Sequence, residues 1–436
     1  MTKKLIFTVL AVCLAMINVM AENNPYRSDF TWVTVPNHSD WLYNKGEKAS
    51  VEIQLYKYGV PVNVDVKYEL ADDMLNTDKA GSMKLKNGKG VLNIGTRQTP
   101  GFRDLRLTAT VDGVKTKHHI KVGFDVNNIK PWTKEPADFT EFWTKQIADM
   151  RKSPIKYTKE LAKEYCTDKM DCYLIRLDVN AQRQCIYGYL FIPKHAKAGS
   201  CPAVLCPPGA GIKTIKEPLR HRCYGENGMI RFAVEIHGLD PRLPQQTFNE
   251  ISNAFGGRDN GYFSNGIESR ERYYMRHVYL AMVRALDFMT SLPEWDGRNL
   301  AVQGGSQGGA LALVATALDN RVTLCCANHP ALSDMGAYSA GLTGGYPHFN
   351  HIKEILTPTA LKTLAYYDVV NFARHIKVKT RMTWGFNDDT CPPTTSYAVW
   401  NTLTCPKEAL ITPINEHWTS DATELSHFEW IKQNLR

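Results

Sequence analysis

The chain has 436 residues, of which 43% are hydrophobic and 22% are charged. This composition is ordinary for a globular protein of roughly two or three domains, and it excludes wholesale disorder and a multi-span membrane protein. The formal charge of +8 comes from 52 basic and 44 acidic residues, and the two signs alternate, as in Arg270-Glu271-Arg272. Because no basic stripe with interleaved aromatic residues is present, we expect a solvated surface and no nucleic-acid partner.

The N-terminus is typical of an export signal. Lys3 and Lys4 precede a mostly apolar run over residues 5–20, and small residues stand before a cleavage point after residue 21. The run is shorter than the about 20 residues that a spanning helix needs. We therefore predict a signal peptide over residues 1–21, a periplasmic or secreted mature protein, and no membrane span. Cys13 lies inside the run without the preceding small residue of a lipid-attachment site, so a lipid anchor there is the lesser alternative.

The cysteines beyond this signal all lie between Cys166 and Cys405. They form no C-x-x-C pair, so the sequence predicts neither a zinc ribbon nor a thioredoxin-type redox site. An oxidising compartment permits disulfides, but the spacing does not select a pairing. Cys206 and Cys325-Cys326 lie in apolar runs, which favours buried thiols.

Residues 22 to about 125 alternate polar and apolar side chains between turns. Asp112-Gly113 separates two such runs, Leu105–Val111 and Val114–Val122, which is a strong signal for a β-hairpin. About 105 residues of short strands fit a small immunoglobulin-like β-sandwich. We therefore assign residues 22–128 to an all-β domain.

This first domain is expected to fold independently and to contribute no catalytic group. It is interpreted as a docking or spacer module, or as a carbohydrate-binding module in which Trp32 and Trp41 offer the large sugar-stacking faces. A chain that starts near Asn127 should then keep its kcat on a small ester.

From Pro131 onward, strands and helices alternate. Asp138-Phe139-Thr140-Glu141 offers a capping box before an amphipathic helix that extends to about Lys152. Further strands are predicted at Cys172–Val179, Cys185–Ile192, Ala203–Cys206, Ile230–Ile236, Leu300–Gln303, Val322–Ala327, Lys379–Trp384 and Ala409–Ile414, and helices at Tyr274–Met289, Ala310–Leu318 and Leu425–Leu435. This alternation predicts a parallel sheet covered by helices over residues 129–436.

The sharpest chemical signal is Gly304-Gly305-Ser306-Gln307-Gly308-Gly309. It contains G-x-S-x-G between a predicted strand and a predicted helix, which is the setting of a nucleophile elbow. Flanking glycines are needed there because side chains at those positions would collide with neighbouring backbone. We therefore predict that Ser306 is the nucleophile of a serine hydrolase.

A nucleophilic serine needs a base and an orienting acid, which follow it along the chain in the order acid, then histidine. His417 follows the last predicted strand, and Asp388 and Asp389 follow the strand before it. Both positions are carboxyl ends of strands, where open parallel sheets place their sites. We predict His417 as the base, and the pattern alone separates the two aspartates only weakly.

The oxyanion of such a reaction needs two backbone N–H donors. One is expected from Gln307, directly after the nucleophile. The other is expected from the loop after the Ala203–Cys206 strand, where Gly209, Ala210 or Gly211 must donate because the preceding prolines have no N–H.

Three weaker features remain. His348-x-x-His351 would put two imidazoles on one helical face, but no acidic or cysteine partner stands at recognisable spacing, so no metal site is predicted. His237 is interpreted as a hydrogen-bonded structural histidine or as a residue of the pocket wall. The long connection from Gly238 to Glu268 is typical of a lid or substrate wall.

Several segments resemble carbohydrate esterase family seven, which contains acetyl xylan esterases and cephalosporin C deacetylases. They are Arg272–Val278, Arg284-Ala285, the serine motif at 304–309, Gly385–Asp388 with Pro392–Thr395, and Asn415-Glu416-His417. The resemblance covers roughly Pro131 to Arg436. It implies an α/β-hydrolase fold and no cofactor. Members of that family are often hexameric, so a homo-oligomer is one expectation, and a block of that assembly by the additional N-terminal domain is the alternative.

The resemblance also implies roles for single residues. It selects Asp388 over Asp389 as the acid, and it places Ala210 where the family has a tyrosine whose backbone amide is an oxyanion donor. Glu235-Ile236-His237-Gly238 departs from the Asp-x-Arg-Gly run of many members.

These observations lead to one hypothesis and two rivals. The hypothesis is a secreted serine esterase that deacetylates oligo- or polysaccharides through Ser306, His417 and Asp388, with an appended β-sandwich. The first rival is a prolyl-oligopeptidase-like serine peptidase, whose β-propeller needs far more than about 105 residues. The second is a glycan-binding protein with an inactive hydrolase domain.

Overall fold

The fold was obtained as a computed structural model that describes residues 28–181, 184–255, 261–352 and 354–436. The predicted signal peptide, residues 1–21, and Cys13 lie outside the described residues. Within the ranges described, no helix combines the length and apolar character needed to cross a membrane.

The first part of the described chain is all-β. Its strands are β1 (Phe30–Pro36), β2 (Leu42–Tyr43), β3 (Ala49–Lys57), β4 (Val60–Pro61), β5 (Asp65–Asp72), β6 (Thr77–Lys84), β7 (Lys89–Gly95), β8 (Gly101–Val111) and β9 (Val114–Phe124). One sheet joins β1, β3 and β4, with β7 also pairing β3, and the other has the order β2-β9-β8-β5-β6. The two sheets share one apolar core because alternate residues such as Ile53 of β3 and Leu105 of β8 are fully buried.

The predicted hairpin is confirmed. Val111 of β8 pairs with Val114 of β9, and the two turn residues, Asp112 and Gly113, both have positive φ values, of 49° and 80°. Such turns match the right-handed twist of the flanking strands, which explains the Asp-Gly pair.

The second part is a nine-stranded mixed sheet with the order β10-β11-β12-β14-β13-β15-β16-β17-β18. Its strands are β10 (Tyr157–Leu161), β11 (Met170–Asp178), β12 (Cys185–Pro193), β13 (Cys201–Cys206), β14 (Ile230–Glu235), β15 (Trp295–Gly305), β16 (Leu324–Asn328), β17 (Lys379–Trp384) and β18 (Lys407–Ile411). The strands from β14 to β18 in this order run parallel, and β10, β11 and β12 add an antiparallel edge.

Helices accompany this sheet: α1 (Phe139–Arg151), α2 (Cys223–Glu226), α3 (Gln245–Ala254), α4 (Tyr274–Met289), α5 (Gln307–Leu318), α6 (Pro358–Ala365), α7 (Val369–Ala373), α8 (Pro393–Thr402) and α9 (Asp421–Gln433). Short 3₁₀ turns occupy Val126–Asn128, Lys163–Tyr165, Gly261–Ser264, Met335–Ala340 and Phe349–His351. The parallel, helix-covered sheet was predicted, whereas β10 was missed because its side chains are all exposed.

The capping box predicted before α1 is wrong. The Asp138 side chain makes no hydrogen bond to the start of the helix. Its carboxylate instead accepts hydrogen bonds from Arg270, at 2.7 Å, and from the Tyr366 hydroxyl. A charge-assisted partner from elsewhere in the fold therefore replaces the local cap.

The two parts meet along the outer face of β8 and β9. In β9, the side chains of Ile120 and Val122 point into the sandwich core. Lys121 lies between them and faces the helical part, and its backbone N–H donates to Asn387 Oδ1 at 2.9 Å. Phe102 of β8 packs edge-on against Phe386, with ring centroids 5.0 Å apart. The sandwich is thus joined to the loop that follows β17.

The ten cysteines between Cys166 and Cys405 are free thiols in this structure. Cys206, Cys325 and Cys326 are buried, as their apolar runs predict.

Candidate active site

Ser306 lies in the sharp turn between β15 and α5, here called the nucleophile turn (residues 304–308). Its backbone has φ 60° and ψ −124°, a strained conformation that is typical of a nucleophile elbow. A Cβ on Gly304 would approach the Gly308 carbonyl oxygen to 2.5 Å, and one on Gly308 would approach the Pro207 carbonyl oxygen to 2.5 Å. Side chains are therefore sterically excluded at the two glycines of the motif.

His417 lies between Ser306 and Asp388. Its Nε2 is 3.0 Å from Ser306 Oγ and its Nδ1 is 2.8 Å from Asp388 Oδ2. The structure therefore brings together the three residues that the sequence singled out, although they come from three different strand ends. A base hydrogen-bonded to the nucleophile and to an orienting acid is the arrangement that activates a serine hydroxyl.

Asp388 belongs to the loop after β17, here called the acid loop (residues 385–391). Its other carboxylate oxygen accepts hydrogen bonds from the backbone N–H groups of Thr390 and Cys391, both at 2.8 Å. Burial alone would raise the pKa of Asp388, but the hydrogen bond from His417 and these backbone donors keep it below the usual value. Asp388 is therefore held as a carboxylate.

The second candidate acid, Asp389, points elsewhere. Its side chain is half exposed, and its Oδ1 lies 2.6 Å from Lys121 Nζ of the β-sandwich. Of the two aspartates that the sequence pattern left open, Asp388 is the one that contacts His417.

The two candidate oxyanion loops are linked by Tyr262. Its hydroxyl accepts a hydrogen bond from the Gly211 N–H at 3.2 Å and donates to the Gln307 side-chain Oε1 at 2.6 Å. The Gln307 backbone N–H lies at the first position of α5, where no intrahelical acceptor is available. Tyr262 falls within the long connection from Gly238 to Glu268, of which residues 256–260 lie outside the described residues.

A cavity of about 610 Å³ opens beside Ser306 and His417. Its wall includes the segment from Gly211 to His221 and the end of β14, whereas none of the described residues of the Gly238–Glu268 connection that the sequence suggested lines it. The lining combines ionisable and apolar side chains in similar proportion. The ionisable ones are Lys213, Glu217, Arg220, His221, Arg231, Glu235, His237 and Glu424, and the apolar ones include Pro207, Ile215, Val234, Ile236 and Trp418. Such a lining offers a substrate both hydrogen-bonding groups and apolar contacts.

Glu235 and His237 occupy the rim of this cavity. Burial raises the pKa of Glu235 to about 7, although the His237 and Leu239 N–H groups donate to its carboxylate. Burial lowers the pKa of His237 to about 4, and its Nδ1 lies 2.7 Å from the Tyr274 hydroxyl. His237 is thus hydrogen-bonded and also lines the pocket, so both interpretations from the sequence hold.

His329 is a residue of the site that sequence reasoning missed. Its buried ring lies 4.5 Å from the ring of His417, centroid to centroid. Burial, together with the neighbouring His417, lowers its pKa to about 4, so the ring stays neutral. The position directly after β16, at the carboxyl edge of the sheet, is the signal that could have identified it.

The His348-x-x-His351 pair does not share an α-helical face. His348 has a positive φ of 59° and precedes a single 3₁₀ turn, Phe349–His351. Its Nδ1 lies 2.9 Å from the Tyr338 hydroxyl, which gives the ring a structural partner.

A family model described as acetyl xylan esterase (AXE1) matches residues 124–434. The chain belongs to the acetyl xylan esterase family. Acetyl esterase Axe7A of Xylanibacter ruminicola is 54% identical over 434 residues, which cover 100% of this chain and 97% of that protein. The resemblance seen in the sequence is confirmed.

Solved structures of this family support the same assignment. An acetyl xylan esterase from Paenibacillus sp. R4 is 29% identical, with a TM-score of 0.62 over 71% of this chain and 98% of its own. Acetyl xylan esterase 1 from Thermoanaerobacterium sp. JW/SL YS485 is 21% identical, with a TM-score of 0.60 over 71% of this chain and 97% of its own, and shows the shared fold. As a member of the acetyl xylan esterase family, the protein has the α/β-hydrolase fold and is a deacetylating carboxylic ester hydrolase.

The two sequence matches differ in where they begin. The family model starts at residue 124, where β9 ends, so the β-sandwich lies outside it. The match to Axe7A spans the sandwich as well. The sandwich is thus no part of the family's common domain, but it is shared with this relative.

Proposed function

We propose that this acetyl xylan esterase family member is an exported serine esterase that removes acetyl groups from acetylated oligo- or polysaccharides. The observation that carries the proposal is the hydrogen-bonded series Ser306, His417, Asp388 beside a cavity with both charged and apolar walls. The predicted signal at residues 1–21 supports export, and the family and its named relatives support a carbohydrate acetyl ester as substrate.

In the proposed mechanism, His417 Nε2 takes the hydroxyl proton of Ser306 as Oγ attacks the acetyl carbonyl carbon. The resulting tetrahedral intermediate collapses, the bond from the carbonyl carbon to the sugar oxygen breaks, and His417 gives its proton to that oxygen. The released sugar hydroxyl leaves an acetyl-serine. Water, deprotonated by His417, then attacks this ester and regenerates Ser306 with release of acetate. Asp388 stabilises the imidazolium that forms in both steps.

The oxyanion is proposed to bind the backbone N–H groups of Gln307 and Ala210. The Gln307 N–H lies at the positive end of α5, which favours a developing negative charge. The Gly211 N–H is already given to Tyr262, which leaves Gly209 and Ala210 of the three candidates. The resemblance to the esterase family favours Ala210.

We further propose a division into a sandwich domain of immunoglobulin-like type, residues 22–128, and a catalytic domain, residues 129–436. The nine strands that the structure describes between residues 28 and 125 support this division. Their number is also far below that of a β-propeller, which argues against the prolyl-oligopeptidase alternative.

A panel of acetylated xylan, xylo-oligosaccharides and other acetylated sugars, with acetate release measured, tests the proposal. A dipeptide amide and a Ser306→Ala variant serve as controls. We expect acetate release from the glycans, no amide cleavage, and loss of turnover in the variant. Amide cleavage at a comparable rate would favour the peptidase, and glycan binding without any turnover would favour the inactive binder.

A further inference from the structure

Lys121 is a fully buried cation of the β-sandwich that contacts the acid loop. Its side chain and that of Asp73 have no exposed surface. The ammonium nitrogen lies 2.9 Å from Asp73 Oδ1, 2.6 Å from Asp389 Oδ1 and 3.0 Å from the backbone carbonyl oxygen of Asp388. The ammonium group thus forms ion pairs with Asp73 and Asp389 and donates a hydrogen bond to the Asp388 carbonyl oxygen.

The backbone of Lys121 adds a second connection. Its N–H donates to Asn387 Oδ1 at 2.9 Å. Asn387 in turn donates from its side chain to the Ile414 carbonyl oxygen, at 3.2 Å, and from its backbone to the Asn415 carbonyl oxygen, also at 3.2 Å. One residue of β9 is therefore connected to the acid loop and to the segment that leads into His417.

Asp73 extends this network to Thr394, which follows the acid loop in the chain. Its Oδ2 accepts hydrogen bonds from the hydroxyl of Thr394, at 2.7 Å, and from the Thr394 N–H, at 3.2 Å. Thr394 lies in the first turn of α8, directly after the acid loop. The loop is thus held by the sandwich both at its centre and at its end.

Stability alone is a poor reason for this arrangement. Burying an ion pair costs about as much in desolvation as its attraction returns, and apolar replacements are often neutral or stabilising. Burial by itself would lower the pKa of Lys121, but the carboxylates of Asp73, Asp389 and Asp104 outweigh burial and raise it, so the side chain is charged. The effect of such a network is to fix a position, because its contacts define where the Asp388 backbone lies.

We propose that Lys121 is a positioning residue through which the β-sandwich orients the catalytic acid Asp388 towards His417. The proposal rests on the roles assigned to Ser306, His417 and Asp388 under the proposed function. It assigns to the sandwich a part in the reaction that neither the family match nor the strand pattern indicates.

The test uses the full-length enzyme and a small soluble ester, para-nitrophenyl acetate. Lys121→Met removes the charge, and Lys121→Met with Asp73→Asn removes it without leaving a buried carboxylate unpaired. Lys57→Met is the matched control, since Lys57 pairs with Asp112 at the surface of the same domain, with an Nζ–Oδ2 distance of 2.6 Å. Both Lys121 variants should lower kcat by about 10- to 100-fold with little change in KM, because a displacement of about 1 Å in a catalytic group has effects of this size.

A double-mutant cycle separates positioning from a general structural effect. In an Asp388→Asn background the acid can no longer act, so the Lys121 substitutions should change kcat by less than about threefold. If the two effects were independent, the Lys121 substitutions would lower kcat by the same factor in both backgrounds. A folded Lys121→Met/Asp73→Asn enzyme with wild-type kcat, or an undiminished loss in the Asp388→Asn background, would overturn the proposal.

Two further readouts complete the design. If neither Lys121 variant folds, the same double-mutant cycle is measured with Asp389→Asn in the wild-type and Asp388→Asn backgrounds. This substitution weakens the contact between Lys121 and Asp389 from the exposed side of the acid loop. Ser306→Ala is measured in parallel: activity that survives this change would refute the proposed nucleophile, and thus differs from a result that refutes the role of Lys121 alone.

Discussion

The nucleophile turn and the acid loop both lie at carboxyl ends of strands in one sheet, but they are supported by different parts of the chain. The nucleophile turn is held within the α/β-hydrolase domain: the Ser306 N–H donates to the Asn328 carbonyl oxygen, and the Ser306 carbonyl oxygen accepts from the Ala331 N–H. The acid loop also has bonds within that domain, from Asn387 to the Ile414 and Asn415 carbonyl oxygens, but it is held in addition from outside, by Lys121 and Asp73 of the β-sandwich. In one catalytic site, the nucleophile can therefore be held by contacts within its own domain, while the acid depends on contacts from a second domain.

The largest effect is expected at the nucleophile turn itself. Ser306→Ala removes one oxygen atom and should lower kcat on para-nitrophenyl acetate by about 10⁴- to 10⁶-fold, since loss of a triad nucleophile has effects of this order. Circular dichroism and the melting temperature should match those of the wild-type enzyme. A variant that retains more than a tenth of the activity would show that another residue attacks the ester.

Two substitutions in the acid loop should differ sharply although their positions are adjacent. Asp388→Asn should lower kcat by about 10⁴-fold, because an amide at this position favours the wrong histidine tautomer. Asp389→Asn weakens the contacts with Lys121 and with His119 Nδ1, which lies 4.0 Å from Asp389 Oδ2, and should cost about three- to tenfold. Steady-state kinetics of both variants at one pH measures the difference, and the reverse ranking would transfer the acid role to Asp389.

The difference between the two regions also explains what the sequence could predict. The nucleophile turn has a local signature, and the glycines that it requires are visible in the sequence as a motif. His417 and the adjacent pair Asp388 and Asp389 follow from chain order and strand ends, because parallel strands bring their carboxyl ends together. The choice of Asp388 comes from the resemblance to the esterase family.

Lys121 carries no comparable signal. In the sequence it is a polar residue at an outward position of a sandwich strand, where lysine is normally solvated. Its burial depends on the packing of one domain against another, and the capping box at Asp138 failed for a similar reason, since Arg270 and Tyr366 are distant in the sequence. Contacts of this kind are set by tertiary structure and leave no periodic pattern.

Removal of the sandwich is expected to have an intermediate effect. The sequence alone predicted that a chain starting near Asn127 keeps its kcat, but the contacts of Lys121 and Phe102 with the acid loop lead us to revise that expectation. We now expect the shortened chain to lose about 100-fold in kcat on a small ester. It should also expose Phe386 and Tyr397, against which Phe102 packs.

This comparison must use monodisperse protein, since the newly exposed aromatic surface favours aggregation. Titration of active serines with a fluorophosphonate probe normalises kcat to the folded fraction. Full kcat per titrated serine would show that the acid loop needs no support from the sandwich. The acid loop and the nucleophile turn would then not differ in their dependence on a second domain.

A smaller effect than that of removing the sandwich is expected within the α/β-hydrolase domain, at Tyr262. Its hydroxyl connects the Gly211 N–H to the Gln307 side chain, and thus joins the two loops that are proposed to carry the oxyanion donors. Tyr262→Phe leaves the buried Gln307 side chain and the half-buried Gly211 N–H without this hydrogen bond, which should cost about 1–3 kcal/mol in the free energy of unfolding. Because the backbone donors lose their support but are still present, kcat should fall by about tenfold, less than the 10²- to 10³-fold that follows loss of a donor itself.

Tyr279→Phe is the matched control for this last change. Tyr279 is equally buried, and its hydroxyl donates to the Tyr367 carbonyl oxygen at 2.8 Å, away from the nucleophile turn. Both variants should melt earlier than the wild-type enzyme, but only Tyr262→Phe should lose kcat, with KM nearly unchanged because the oxyanion forms after substrate binding. Equal kcat in the two variants would show that the nucleophile turn and the Gly211 loop keep their geometry without Tyr262. The nucleophile turn and the Gly211 loop would then be more rigid than we expect. The acid loop, which depends on the sandwich, would differ from them more strongly.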